Sequence, residues 1–255
     1  MGTPAGIVKL AASAFAVAAI GIGGARAADV TIDMPEAEAE AVGHMFDVAF
    51  GVTLTSDYLS RGITQTDHGA AIQGYVEPSL GMLYAGIWAS NVAFGGDPDV
   101  EVDLYAGIRP EFDMFSFDFG YNHAFYMNDP GSDSGEFFAK GYATIVDPVT
   151  VGAEFYINPA DSATYIEANA DITLPHNFGL SGAIGAVNGS DPYSTWNVGL
   201  YYAIGEWGTL DLRYSDTNLS TGGCASITGL SGNECDGRVM LSLSIDTSIA
   251  TLKGE

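Results

Sequence analysis

Positive charge is scarce in this chain: eight Lys and Arg stand against 32 Asp and Glu, a formal net charge of −24 over 255 residues. Nucleic acid is met through Lys and Arg, so this balance argues against such a partner. Cysteine is almost absent at two residues, and histidine is limited to four. Cys224 and Cys235 sit in one Gly/Ser-rich segment, with too few Cys and His neighbours for a zinc spacing, so neither a metal nor a cofactor is implied. Beyond the N-terminus there is no run of about 18 apolar residues, the length a transmembrane helix requires. Yet 47% of the residues are hydrophobic. In lipid only helices and closed barrels satisfy every backbone polar group, so the choice lies between a soluble β-domain and a barrel.

The N-terminus reads as a secretory leader. Lys9 is the sole charged side chain before Arg26, Leu10 to Ile22 is apolar, and Ala25-Arg26-Ala27 has small-x-small spacing. Charged start, short apolar core and small-residue exit predict cleavage after Ala27, giving a signal peptide over 1–27. The run is too short for a comfortable membrane anchor. Loss of Lys9 and Arg26 leaves six basic residues against 32 acidic ones, a charge of −26. In an exported chain two close cysteines read as one loop-closing disulfide, Cys224–Cys235. Residues 28–46, with Pro35-Glu36-Ala37-Glu38-Ala39-Glu40, lack apolar alternation and read as a flexible acidic periplasmic tail or a short helix.

From residue 47 to 255 the text changes to segments of about ten residues with period two, cut by Gly, Pro, Asn and Asp. Val48, Phe50, Val52 and Leu54 alternate with Ala49, Gly51, Thr53 and Thr55; Val100, Val102, Leu104 and Ile108 alternate with Glu101, Asp103, Tyr105 and Gly107. Similar alternation recurs from Phe115, Val149, Ile166, Trp196, Leu210 and Val239. Less regular stretches near 70–79, 83–91, 136–146 and 178–187 have the right length but ambiguous facing. Together they predict an all-β, transmembrane, antiparallel up-and-down barrel of about twelve strands. Long connections are expected near 57–69, 92–99, 127–135, 158–163, 188–193 and 216–237. Short ones are expected near 80–82, 109–113, 147–148, 174–177 and 204–207. This alternation of long external loops with short periplasmic turns favours a barrel over a soluble sandwich.

The run Phe50-Gly51-Val52-Thr53-Leu54-Thr55-Ser56-Asp57-Tyr58-Leu59-Ser60-Arg61-Gly62-Ile63-Thr64-Gln65-Thr66 resembles the start of a proteobacterial family known as TorF porins, also described as the Gcw_chp domain of unknown function. Leu83 to Val92 and Glu101 to Gly107 are similar to the same family, and the resemblance runs from about 47 to 246. It implies an outer-membrane barrel acting as a channel, with no established solute and no catalytic residue. The chain departs from such families at its end, Thr247 to Glu255, which lacks a closing Phe.

With these faces the interior would collect Glu77, Glu101, Asp103, Asp118, Glu154, Glu167, Asp171, Asp211 and Asp246 as pore-lining candidates. Carboxylates are costly against lipid, and acidic rings select cations. The opposing charges foreseen are Lys140, Arg213 and Arg238. The expected partners are outer-membrane lipid and small solutes or cations. The interior is equally compatible with a plugged barrel, since Tyr75, Tyr105, Tyr156, Tyr165 and Tyr201 would fill much of a lumen whose width is set by strand number. A non-conducting structural or surface-interaction barrel is the alternative reading. A hydrolytic site would need a nucleophile, a base and an orienting group. Only Ser56 or Ser60 near His68 offers a start, without a motif, and the chain is read as no enzyme. The loop runs Asp97-Pro98-Asp99, Asn128 to Ser134 and Asn188 to Asp191 lack the calcium-loop spacing and match what turns require.

Overall fold

The computed structural model describes residues 46–95 and 97–253. The expected leader and almost all of the acidic tail lie outside the described residues. Twelve strands make the wall: β1 (Phe46–Thr55), β2 (Ala71–Leu80), β3 (Leu83–Phe94), β4 (Asp97–Ile108), β5 (Phe115–Tyr126), β6 (Ser134–Val146), β7 (Val149–Ile157), β8 (Thr164–Thr173), β9 (Phe178–Asn188), β10 (Tyr193–Ile204), β11 (Gly208–Thr217) and β12 (Arg238–Ser248). Each pairs antiparallel with the next, and β12 returns to β1 in a register running from Ala49↔Ser248 to Thr55↔Ser242. The sheet is therefore closed, and no edge is left to pair with another chain. No described helix is long and apolar enough to cross a membrane; the strands cross instead.

Period two sets the two surfaces. Phe50, Leu54, Ile72, Val198, Leu212 and Leu241 project outward as an apolar band, the surface a transmembrane barrel presents to lipid. The ambiguous strand resolves with Ile87 outward, 53% exposed, and Trp88 inward, 8% exposed. The inner surface is polar and aromatic. Its tyrosines lie across glycines of the neighbouring strand: Gly86 is paired with Tyr105 and Gly107 with Tyr84. At Gly107 an added Cβ would stand 2.5 Å from the Phe119 carbonyl as well as against the Tyr84 ring, and at Gly86 it would strike the Tyr105 ring. These glycines provide the space in which interior rings lie flat.

One expected connection is corrected. The segment 92–99 is not a long loop, because β3 runs to Phe94, β4 begins at Asp97, and the ladder continues through Phe94↔Asp97. Val92 is buried, and the Phe94 ring meets Tyr126 edge-on at 5.6 Å, so apolar packing carries these strands past the Gly/Asp-rich text that suggested a loop. The longest connection, 218–237, holds helix α1 (Thr221–Thr228), which the sequence did not reveal. Ser220 caps it by accepting from the Gly223 N–H at 3.2 Å, and Gly229 ends it at φ 69°. Cys224 on this helix is bonded to Cys235, as expected, with Cα atoms 5.9 Å apart. After β12 the chain turns into a short helix, α2 (Ile249–Lys253), whose Ala250 N–H donates to Asp47 at 3.0 Å.

Candidate functional site

A polar interior enclosed by a lipid-facing wall makes the lumen the candidate site. Its most conspicuous occupant is the connection between β1 and β2. This segment folds inward, and Tyr58, Ser60, Arg61, Ile63, Thr64, Gln65 and Thr66 are all buried. Two residue pairs, Leu59–Ser60 and Ile63–Thr64, form a miniature antiparallel ladder. Arg61 and Gly62 make its tip at φ 47° and 81°. The left-handed geometry is natural for glycine and costly for arginine. Asp57 organises the base: the hydroxyls of Thr64 and Thr66 donate to its Oδ1 at 2.5 and 2.9 Å, and Arg238 Nη1 donates to its Oδ2 at 2.8 Å. His68 also belongs here, its Nδ1 3.9 Å from Asp57.

The segment touches walls all around the barrel. Tyr58 meets Trp88 of β3 edge-on at 5.6 Å. Arg61 forms a two-pronged ion pair with Glu136 of β6, at 3.1 and 2.8 Å, which is the strong planar geometry for a guanidinium and a carboxylate. Its Cζ lies 5.3 and 4.5 Å from the ring centres of Tyr156 on β7 and Tyr165 on β8, within cation–π range. A Cβ on Gly62 would meet Thr217 of β11 at 2.5 Å and Thr195 of β10 at 3.7 Å. The Gln65 carbonyl accepts from Ala93 N–H at 2.7 Å, and Thr64 N–H donates to the Glu234 carbonyl at 3.0 Å. Burial raises the Glu234 carboxyl, but hydrogen bonds from the Ser231 hydroxyl and the Gly232 N–H outweigh it and hold the group below its usual range. The segment thus lies across the lumen near the mouth that carries the 218–237 connection.

Of the nine carboxylates expected from strand alternation, Glu77, Glu101, Asp103, Asp118 and Asp211 are buried, Glu101 and Asp103 with no exposed surface and Glu77 with 1%, and Glu154, Glu167, Asp171 and Asp246 are half-buried. They do not form one ring. Toward the opposite end Arg109, from the turn after β4, bonds Glu77 at 2.6 and 3.2 Å and Asp118 at 3.2 Å, and Tyr84 donates to Asp118 at 2.5 Å. Arg213 bridges Asp211, at 3.1 and 3.2 Å, to Ser181 at 2.7 Å and to Asn197. Glu154 accepts from Tyr142 at 2.7 Å and also from Tyr156, Glu167 accepts from Tyr165 at 2.5 Å, and Asp171 accepts from Tyr201 at 3.1 Å. Asp246 is paired in register with Gly51. Lys140 is buried opposite Asp118 and Glu154, inward as one reading of its strand allowed, whereas Arg238 belongs to the mouth with Asp57. Arg61, Arg109 and Glu136 were missed as interior charges. Arg61 and Arg109 sit in connections, where period two gives no facing, and Glu136 lies at the start of a strand of ambiguous facing.

No curated protein matches the chain. Among solved structures it is similar to the KdgM porin, at 10% identity and TM-score 0.52 over 78% of this chain and 98% of that one. It is also similar to the KdgM porin in complex with disordered oligogalacturonate, at 10% identity and TM-score 0.50 over 79% and 97%. A chain solved in work on in-meso crystallization of membrane proteins gives 11% identity and TM-score 0.52 over 80% and 84%. Identities this low establish the fold alone: a porin-like transmembrane barrel. The family model for bacterial proteins of unknown function called Gcw_chp matches residues 37–240, and the chain belongs to that family.

Proposed function

We propose that the protein is an outer-membrane channel for passive diffusion of small solutes or ions, favouring cations. The observation that carries this reading is the acidic inner surface of a closed barrel: the nine carboxylates and Glu136 share it with Arg61, Arg109, Lys140 and Arg213 among the described residues. Such an excess lowers the energy of a cation in a narrow, poorly screened passage and raises that of an anion. The half-buried Glu154, Glu167, Asp171 and Asp246 are the carboxylates this reading places along the path, with Glu77, Asp118 and Asp211 behind their arginines. The porin reading of the Tyr58–Gln65 motif and an exported, leader-cleaved chain fit the same picture. The test is planar-bilayer recording of the refolded protein in a KCl gradient. Cation selectivity that weakens at high salt is expected, because screening confines these charges to about 10 Å at 0.1 M. A reversal potential of the anion sign overturns the preference.

The segment 57–66 across the mouth favours a second reading, a barrel that does not conduct and serves a structural or surface role. Folded, inserted protein without conductance would establish it.

A further inference from the structure

We propose that Glu101, Asp103, Asn122, Tyr58 and Tyr126 form a binding site for a hard cation of the calcium class, at the seam between the inserted segment and the wall. The register supplies the walls. Glu101 lies opposite Tyr126, and Asp103 opposite Ala124, so these side chains share the inward face of β4 and β5. Asn122 comes from the same face and donates its Nδ2 to Asp103 Oδ2 at 2.8 Å. Tyr58, held against Trp88, closes the pocket from the loop side.

Elsewhere in the lumen Glu77, Asp118 and Asp211 meet an arginine, and Glu154, Glu167 and Asp171 accept from a tyrosine hydroxyl; here the Asn122 amide serves Asp103 Oδ2 alone. Both Glu101 oxygens, Asp103 Oδ1, Asn122 Oδ1 and the hydroxyls of Tyr58 and Tyr126 are buried without a hydrogen-bond partner. Glu101 and Asp103 have no exposed surface. Tyr58, Tyr126 and Asp103 stand beside Glu101 at about hydrogen-bonding range, without the geometry of a formed bond to either Glu101 oxygen. Two carboxylates from one strand, removed from water and left uncompensated, are an expensive arrangement. Buried polar groups are almost always satisfied, and an ion is one way of satisfying them. Arg61, the cation of the loop, is committed to Glu136.

The donor set defines the ligand. It is all oxygen, without the nitrogen or sulfur that zinc prefers. Two carboxylates match a divalent charge, and six inward oxygens meet the lower end of calcium coordination. Magnesium keeps its waters and demands a stricter octahedron, which a buried cluster walled by two tyrosines does not suit. Bound there, the ion would tie the loop residue Tyr58 to β4 and β5. The site does not depend on whether the barrel conducts.

Terbium is the probe, because Tyr58, Tyr126 and Trp88 stand close enough to sensitise its emission. Refolded protein should show sensitised emission saturating at one ion per chain and displaced by calcium. E101Q/D103N should weaken terbium binding at least tenfold, and Tyr58→Phe, which removes one oxygen and no charge, several-fold. E154Q should leave it unchanged. Each variant is first checked for the heat-modifiable gel migration of a folded barrel. Absence of calcium-displaceable emission from folded protein overturns the site. So does emission that E101Q/D103N leaves intact, which would assign the ion to the acidic surface. A protonated-carboxyl infrared band that persists in calcium and disappears in E101Q/D103N would show a shared proton in place of the metal, and would likewise overturn it.

Discussion

The two ends of the lumen treat similar carboxylates differently. Away from the inserted segment, Glu77, Asp118 and Asp211 are buried beside Arg109 and Arg213. Beside the inserted segment, Glu101 and Asp103 are more deeply enclosed, with Asn122 rather than an arginine bonded to Asp103, while Arg61 answers Glu136. All of these acids occupy equivalent alternating positions on their strands. What separates them is the source of the opposing charge, since Arg61 and Arg109 come from connecting segments and reach the lumen only through the way those segments fold. An acidic stripe on a strand therefore specifies facing, and the connections specify whether the acids are neutralised.

The largest expected effect tests the end that holds the inserted segment as a whole. Replacing residues 58–66 by a Gly/Ser linker of equal length should raise single-channel conductance several-fold, since the segment lies across the mouth. Unchanged conductance would mean that current bypasses it. A second contrast is energetic. Arg109→Ala leaves Glu77 and Asp118 without their cation and should lower barrel stability by about 3 kcal/mol, the scale of removing one partner from a buried ion pair. Glu101→Gln should act the other way, raising stability in the presence of a chelator by about 1 kcal/mol as it relieves an uncompensated buried charge. Urea unfolding followed by gel migration reads both, and equal signs would erase the distinction between the two ends. The smallest effect concerns the outer loop. With Cys224 and Cys235 both changed to Ser, the barrel should assemble with an unchanged unfolding midpoint, while protease cuts the 218–237 segment faster. Failure of the sheet to close would show that the loop takes part in assembly.

Much of the wall was legible in the sequence because a strand has one rule. Phe50, Leu54 and Val198 face lipid, and Glu154 and Asp211 face inward, as alternation requires. The same rule failed at 92–99, where Gly, Asp and Pro suggested a loop but the contact of Phe94 with Tyr126 keeps the ladder going. It had nothing to say about 57–66. Ser60, Thr64, Gln65 and Thr66 have the composition of a solvated loop, and their burial follows from partners on β3, β6 and the 218–237 connection. The resemblance of Tyr58 to Gln65 marked the segment as distinctive without indicating where it goes. Helix α1 was hidden because its eight residues include two glycines and carry no apolar stripe.

The internal bonding of the inserted segment has a mechanical consequence. Tyr58 N–H donates to Thr66 Oγ1 at 3.1 Å, Gln65 N–H donates to the Tyr58 carbonyl at 2.7 Å, and Thr66 and Gly69 are bonded in both directions at 2.6 and 2.8 Å. Such a piece does not fray residue by residue. Its ties to the wall, Arg61 to Glu136 and Gln65 to Ala93, sit on one small body. Loss of either tie would therefore bear on the whole segment rather than on one residue of it.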